Sequence, residues 1–353
     1  MRSTRIITAT ALAAGMLIAV SGCAKPLDDG GGAAANGKGT EQVVESSSEA
    51  TCVNPKPSDK KLSELKIGFS QSENEQNPFR ATETASVRQS VEDAGSEFVY
   101  TNANSDQAKQ LSDIQSMINQ GVDALIVAPI SATGLQSAFE AAKAKGIPVI
   151  TIDRETAGQP CTDFISFMGS DFEKQGQRAG EAMIDALGGK GVVAEIQGAP
   201  GSDVATLRTK GFAAATKDAS GIDVVAQQTG NWATSEAQEV LAQLLSSNPD
   251  INAVYTHSDT MALGALTAIS QAGLTPGADV TVVSIDGTKD AVKHIASGDI
   301  TAIVETNPRF GPAALDLLKD WFAGDPVSQK IIMKDELYTK KNAQDALDSG
   351  RAY

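Results

Sequence analysis

Short apolar runs alternate along this chain with longer stretches in which apolar residues recur every three or four positions, beginning near residue 66. The short runs predict β-strands over 66–70, 97–101, 123–128, 147–153, 164–168, 191–196, 222–227, 252–256, 280–285 and 300–305. The longer stretches predict amphipathic helices, for example over 81–94, 106–120, 135–145 and 263–272. Glycines follow many of the helices, where a helix C-terminus favours positive φ: Gly95, Gly121, Gly146, Gly273 and Gly298.

Strands and helices that alternate in this rhythm predict parallel sheets with helices on both faces. About ten strands divide more readily into two sheets than they extend into a single one. The chain has 353 residues, which is more than one hydrophobic core usually serves. The predicted fold class is therefore α/β, with two similar Rossmann-like lobes.

The N-terminus has the features of an export signal. Arg2 and Arg5 precede a short apolar segment over 6–20, and small residues stand directly before Cys23. The segment resembles a bacterial lipoprotein signal, which implies that 1–22 is removed and that Cys23 carries diacylglycerol. A plain secretory signal with an incidental cysteine is the alternative. Residues 23–64, rich in small and polar residues, are predicted to be a lipidated flexible tether.

Charge and cysteine content restrict the possible partners. The net charge of −15 argues against nucleic acid and anionic lipid headgroups, which require clustered Lys and Arg. Cys52 and Cys161 remain once Cys23 is lipidated; in an oxidising compartment they suggest a disulfide, and two free thiols are the alternative. His257 and His294 are the only histidines, and we interpret both as structural. No metal-ligand spacing occurs, and we expect no cofactor.

Polar and aromatic residues recur where the predicted strands end, which is where ligands bind parallel sheets. The candidate ligand-binding residues are Ser70, Gln71, Asn77, Phe79, Arg80, Asp153, Arg154, Arg208, Trp232, Ser258, Asp259, Asp286 and Glu305. Carboxylates accept hydrogen bonds from sugar hydroxyls, arginine and asparagine donate to them, and aromatic rings pack on the C–H face of a sugar. The simpler alternatives are a surface ion pair for Asp153 and Arg154, and a solvated position for Arg208.

Several segments in this order resemble the type I periplasmic sugar-binding proteins, in the cluster that includes ribose-binding and galactofuranose-binding proteins. The similar segments are 67–71, 80–83, 121–124, 128–129, 132–134, 152–154, 195–198, 210–212 and 284–287. With Arg208 and Asp259, they extend the resemblance from about residue 65 to residue 340. It is closest to the galactofuranose-binding members, because Arg80 stands where ribose-binding members usually have an aromatic residue.

The resemblance implies two lobes that are joined by a three-stranded hinge and clamp the ligand between them. We expect an N-terminal lobe of 65–164 plus 288–306, a C-terminal lobe of 165–287 plus 307–340, and a tail over 341–353. The binding residues from 77 to 154 would lie on the first lobe and those from 208 to 286 on the second, with Glu305 at the hinge. Ser258 replaces a common Asn, and the acidic stretch 73–76 changes the rim beside Arg80.

The resemblance implies a carrier that delivers a monosaccharide to the transmembrane subunits of an ABC permease. We expect a monomer on the outer face of the cell membrane, held there only by its lipid anchor. A sugar or autoinducer sensor and a nucleoside or polyol binder remain alternatives. An enzyme is disfavoured because no hydrolase motif occurs and because the cleft arginines would keep the carboxylates ionised. A repressor is excluded because the lipid signal occupies the place of a helix-turn-helix.

Overall fold

The structure is a computed structural model that describes residues 44–353. The predicted signal peptide and the lipidation site at Cys23 lie outside the described residues. The strands are β1 (Val44–Ser47), β2 (Thr51–Cys52), β3 (Lys66–Gln71), β4 (Glu97–Asn102), β5 (Ala124–Val127), β6 (Val149–Ile152), β7 (Ser166–Gly169), β8 (Gly191–Gln197), β9 (Ile222–Thr229), β10 (Ala253–Thr256), β11 (Thr281–Asp286), β12 (Ala302–Glu305), β13 (Val327–Ser328), β14 (Lys330–Met333) and β15 (Leu337–Thr339).

The α-helices are α1 (Pro78–Asp93), α2 (Gln107–Asn119), α3 (Gln136–Ala144), α4 (Phe172–Ala186), α5 (Asp203–Thr216), α6 (Thr234–Ser247), α7 (Asp259–Gln271), α8 (Lys289–Ser297), α9 (Gly311–Ala323) and α10 (Ala343–Asp348). A short 3-10 helix covers Leu62–Glu64. All the strands and helices that the hydrophobic pattern predicted are present, with shifts at their ends.

The first sheet has seven strands in the order β1-β14-β7-β6-β5-β3-β4. Its strands are parallel except that β1 is antiparallel to β14. Helices α1 and α9 contribute to one buried apolar cluster, with Val87 and Leu318 among its members. Helices α2 and α3 contribute to a separate cluster that includes Ile114 and Phe139. The sheet therefore has helices on both faces, as predicted.

The second sheet has six strands in the order β15-β12-β11-β10-β8-β9, parallel except for β15. Helices α6, α7, α8 and α10 supply one core cluster, and α4 and α5 supply the other. In the latter, the rings of Phe212 and Tyr255 stack with centroids 4.2 Å apart. Both sheets thus have the doubly wound α/β architecture, and the predicted fold class is confirmed.

Three segments connect the two sheets: β7 to β8 through α4, β12 to β14 through α9, and β14 to β15. This differs from the predicted lobe boundaries. The segment 302–305, expected in the first lobe, is a strand of the second sheet. The segments 166–169 and 330–333, expected in the second lobe, are strands of the first sheet. Hydrophobic pattern identifies a strand but does not indicate which sheet pairs with it.

The predicted tether and tail are wrong over the described residues. Strands β1 and β2 pair with β14 and β13, and Cys52 is buried in the first core. Cys52 forms the predicted disulfide with Cys161. At the other end, Ala343 and Ala346 of α10 and then Ala352 are buried in the second core. These segments are short or half-exposed, so their pattern did not indicate regular structure. No helix within residues 44–353 is long and apolar enough to cross a membrane.

Candidate functional site

A small polar cavity lies beyond the carboxyl ends of the parallel strands. It holds about 50 Å³, several times the roughly 10–15 Å³ that a buried water needs on the same measure. The lining residues are Glu73, Asn77, Phe79, Arg80, Asp153, Arg154, Val204, Arg208, Trp232, Ser258, Asp286 and Thr306. Nine of the thirteen predicted binding residues are in this set, and they come from segments next to both sheets.

Arg80, near the start of α1, is the centre of the first half of the cavity. Its Nη2 lies 2.7 Å from Asp153 Oδ2, its Nη1 2.9 Å from Glu83 Oε2, and its Nε 3.1 Å from Glu73 Oε2. Burial by itself would lower the pKa of Arg80, but Asp153, Glu83 and Glu73 outweigh it and hold the pKa well above its usual value. The guanidinium is therefore a permanent, rigidly oriented donor.

Arg154 and Glu73 close the rim on the same side. Arg154 Nη2 donates to Glu73 Oε1 at 2.7 Å, and Nη1 donates to the carbonyl of Ile130 at 3.1 Å. Burial would raise the pKa of Glu73, but the charges of Arg154 and Arg80 lower it to about 2. Glu73 is thus an ionised carboxylate that bridges two guanidinium groups.

Arg208, on the first turns of α5, is the centre of the second half of the cavity. Its Nε donates to Gln175 Oε1 at 3.0 Å and its Nη2 donates to Thr306 Oγ1 at 2.8 Å. Its Nη1 donates to the carbonyl of His257, and Nη2 lies 3.5 Å from Asp286 Oδ1. Burial raises the pKa of Asp286 to about 7, although Arg208 opposes the shift.

Two aromatic rings face the arginines. The Arg80 guanidinium lies 5.0 Å from the Phe79 ring centroid, and that of Arg208 lies 5.9 Å from the Trp232 ring. Gly198 allows the Trp232 position, because a Cβ there would come within 1.9 Å of the indole. The Phe79 ring is supported by the edge of Tyr353, with centroids 6.2 Å apart.

The backbone is strained at several of these positions. Asp153, Trp232 and Asp286 have φ values of 65°, 62° and 118°, which non-glycine residues seldom adopt. Each such residue costs on the order of 1–3 kcal/mol, and residues of this kind concentrate at ligand sites. The surrounding fold therefore holds these side chains in positions that local preference would not choose.

Four predicted binding residues do not line the cavity. Ser70 and Gln71 belong to β3 and are fully buried; Gln71 donates to Glu83 at 2.8 Å, one layer behind Arg80. Asp259 Oδ2 accepts from the backbone N–H groups of Gly287 and Thr288, which fixes the loop after Asp286. Glu305 accepts from the backbone N–H of Glu336 at 3.0 Å, close to the connections between the sheets. These residues support the site without facing it.

Sequence reasoning missed three lining residues: Glu73, Val204 and Thr306. Glu73 could have been found, since the acidic stretch beside Arg80 was noted as changing the rim. Thr306 directly follows β12, so the rule that ligands meet strand ends also applied to it. Val204 carries no chemical signal, because only its position on the first turn of α5 places it at the cavity.

His257 has a structural role in the described chain, as predicted. Its Nδ1 accepts from the backbone N–H of Gly198 at 3.3 Å, and its Nε2 lies 2.8 Å from Glu195 Oε1, both deep in the second sheet. Burial lowers the pKa of His257, so the neutral ring donates from Nε2 to the Glu195 carboxylate. These hydrogen bonds fix the position of the loop at Gly198. The His257 carbonyl also accepts from Arg208, so the same residues help to position that side chain.

The chemistry of the cavity lining suits a polar ligand. Its guanidinium groups donate hydrogen bonds and its carboxylates accept them, so the lining offers both functions that a hydroxyl group can use. Residues 44–353 contain no cluster of three or more His, Cys, Asp or Glu that could hold a metal ion.

Comparisons with known proteins agree with this geometry. The sequence profile described as the periplasmic binding protein domain matches residues 67–326. The ribose import binding protein RbsB of Bacillus subtilis is 34% identical over 266 residues, which cover 75% of this chain and 84% of RbsB. The galactofuranose-binding protein YtfQ of Escherichia coli is 32% identical over 289 residues, which cover 80% of this chain and 91% of YtfQ.

The fold also matches solved structures. A protein from Mycobacterium smegmatis, solved in complex with β-D-fucofuranose, aligns with a TM-score of 0.77 and 36% sequence identity. The alignment covers 81% of this chain and 95% of that protein. The fold is thus shared with that protein over most of the length of both chains.

Proposed function

Because this chain belongs to the periplasmic binding protein family, as a type I sugar-binding member similar to galactofuranose-binding proteins, we propose that it is the solute-binding subunit of a sugar ABC importer. It binds a monosaccharide in the cavity between Arg80 and Arg208 and delivers it to the permease. The observation that carries the proposal is the cavity lining, in which three arginines, three carboxylates and two aromatic rings face one small space.

This lining suits the surface of a sugar. Ring hydroxyls both donate and accept, so a carboxylate such as Asp153 takes their protons while the guanidinium N–H groups donate to their oxygens. Phe79 and Trp232 offer ring faces for the C–H patch of the ligand. A ligand that lacks one of the hydroxyls would leave a desolvated charged group unpaired, which supplies selectivity.

We propose a furanose, either a hexose or a pentose, as the preferred ring form. The sequence resemblance implies that Arg80 occupies a place where ribose-binding members usually carry an aromatic residue. The structurally similar Mycobacterium smegmatis protein was solved with a furanose, and YtfQ is named for one. Both observations support the proposed ring form.

Binding is proposed to proceed by hinge closure of two lobes, each built on one of the sheets. The connections between the sheets are the hinge, and the ligand stabilises the closed form because it bonds to both halves of the cavity. The backbone N–H of Glu155, in the loop after β6, donates to Asp203 Oδ2 at 3.3 Å at the start of α5. This contact would form on closure, so closed and open forms would present different surfaces to the permease.

The family places the protein outside the cytoplasm. The further proposal is that Cys23 carries the lipid that holds a monomeric carrier at the outer face of the cell membrane, near its transmembrane partners. The export features before Cys23 and the resemblance to lipoprotein signals support this arrangement. Family members are transport proteins, and we propose no reaction for this one.

The test is isothermal titration of ligand-stripped protein with galactose, arabinose, ribose, xylose, allose, xylitol and myo-inositol. We expect one sugar to bind with a Kd of about 1 μM or tighter, which corresponds to about −8 kcal/mol, and to be recovered unchanged. Absence of binding across the panel, or conversion of a sugar into a product, would contradict the proposal.

A further inference from the structure

We propose that Glu73 sets the charge selectivity of the cavity, so that it accepts uncharged sugars and rejects sugar acids. The inference rests on the proposed sugar-binding function and specifies its substrate class. The Glu73 carboxylate, one of the groups that line the cavity, lies in a fork formed by the side chains of Arg80 and Arg154.

The fork is of the kind that recognises a ligand carboxylate. Glu73 Oε2 lies 3.1 Å from Arg80 Nε, and Glu73 Oε1 lies 2.7 Å from Arg154 Nη2. Paired guanidinium donors are the usual receptor for an anionic oxygen pair. Here the protein's own carboxylate already fills it, so an acidic ligand finds neither free donors nor a favourable field.

The electrostatics of Glu73 keep the fork filled across the physiological range. Its pKa of about 2 means that the side chain stays ionised well below neutral pH. With Glu73 in place, the fork already holds a negative charge between the guanidinium groups of Arg80 and Arg154. A ligand carboxylate would therefore meet a like charge at the fork, which a neutral hydroxyl does not.

The backbone of this loop is held independently of the Glu73 side chain. The Glu73 carbonyl accepts from Asn102 Nδ2 at 2.8 Å. Around it, the Ser72 carbonyl accepts from the backbone N–H of Ser105 at 2.8 Å, and Asn77 caps α1. Replacement of the side chain by Ala or Gln should therefore remove the negative charge from the fork while the loop and Arg80 stay in place.

Glu75 provides a matched control in the same loop. Its carboxylate accepts from the Tyr100 hydroxyl and is not among the cavity-lining groups. Glu75→Ala removes the same charge and a similar number of atoms two residues away. An effect that comes only from the overall charge of the protein would be equal in both variants.

The experiment titrates ligand-stripped wild type, Glu73→Ala, Glu73→Gln and Glu75→Ala with galactose, galacturonate, arabinose and arabinonate. We expect both Glu73 variants to bind at least one acid about tenfold or more tightly than wild type does, because a ligand anion then meets no like charge at the fork. The gain should shrink at high salt, and Glu75→Ala should behave as wild type. Glu73→Gln keeps the side-chain volume, so it covers the case in which Glu73→Ala folds poorly.

The outcomes separate this inference from the proposed function. Wild-type binding of a neutral sugar reports on the function, whereas the gain of acid binding in the Glu73 variants reports on the fork. Any of three results would overturn the inference. These are no gain of acid binding in the folded Glu73 variants, an equal gain in Glu75→Ala, and wild-type binding of an acid as tight as that of the corresponding neutral sugar. If wild type binds no neutral sugar but the Glu73 variants gain acid binding, the proposed function fails while the role of Glu73 in rejecting acids stands.

Discussion

Arg208 has all of its described polar contacts within the cavity wall, where its side chain is 3% exposed. Gln175, Thr306 and the His257 carbonyl hold the guanidinium plane from behind. The remaining donor capacity faces Asp286 and the ligand space. A lysine at this position could not make these contacts together, because it has one nitrogen and no planar fork.

Arg208→Lys is therefore expected to weaken binding of the cognate sugar by about 30-fold or more, since loss of one partner of a buried, charged hydrogen-bond pair costs at least about 2 kcal/mol. Titration calorimetry measures the change. Arg88→Lys is the control, because Arg88 stacks on Phe98 away from the cavity. Wild-type affinity in a folded Arg208→Lys would contradict the assigned site.

At the residue scale, the position of a side chain after a strand predicted most of the lining. Asp153, Arg154 and Trp232 follow strands, Asp286 is the last residue of β11, and all four line the cavity. The prediction that Ser70 and Gln71 line the cavity was wrong, because β3 continues through them and buries both within the sheet. The exact end of a strand depends on its neighbours, so the chain alone does not specify it.

At the scale of elements, α4 and α5 approach so closely that backbone meets backbone. A Cβ on Gly176 of α4 would lie 2.1 Å from the Arg208 carbonyl, and one on Gly211 of α5 would lie 1.9 Å from the Glu173 carbonyl. Only glycine permits this contact at either position. The contact places the first turns of α5, and with them Arg208, against the cavity.

Gly176→Ala should force the two helices apart beside Arg208. We expect the free energy of unfolding to fall by about 1–3 kcal/mol and sugar affinity to fall as well, because Arg208 moves with α5. Gly180→Ala is the matched control one turn along α4, where the new methyl meets the Ala215 methyl instead. It should cost stability with a smaller loss of affinity. Unchanged affinity in Gly176→Ala would show that helix contact does not position Arg208.

At the scale of the whole molecule, one carboxylate ties together the three connections between the sheets. Asp335 lies between β14 and β15, and its Oδ1 accepts from Ser170 Oγ and from the backbone N–H of Asn307, both at 3.0 Å. Its Oδ2 accepts from Gln175 Nε2 at 2.8 Å, and Gln175 in turn contacts Arg208. The connections are therefore linked both to one another and to the cavity.

Burial raises the pKa of Asp335 from 3.8 to about 7, which makes stability depend on pH. Between these values the folded protein binds more protons than the unfolded chain, so this residue's contribution to stability falls as pH rises. In Asp335→Asn, the loss in free energy of unfolding between about pH 4 and about pH 7 should be smaller than in wild type by roughly 2–4 kcal/mol.

Denaturant unfolding of wild type and Asp335→Asn at several pH values measures this slope. The exposed Asp316→Asn on α9 serves as the control, because it changes the same type of residue and leaves Asp335 and its partners Ser170, Gln175 and Asn307 unchanged. Equal slopes in wild type and Asp335→Asn would mean that Asp335 is already ionised in the folded protein at low pH.

The sequence by itself determined the α/β class, the parallel strands and the polar residues that follow them, because hydrophobic period and strand–helix order are local properties of the chain. It also indicated that Cys52 and Cys161 could pair, which the structure confirms. Only the tertiary structure decided which sheet holds 302–305 and 330–333, that Glu73 and Thr306 enter the cavity, and that Asp335 joins the connections. These features depend on contacts between residues far apart in the chain, and such contacts leave no periodic trace in the sequence.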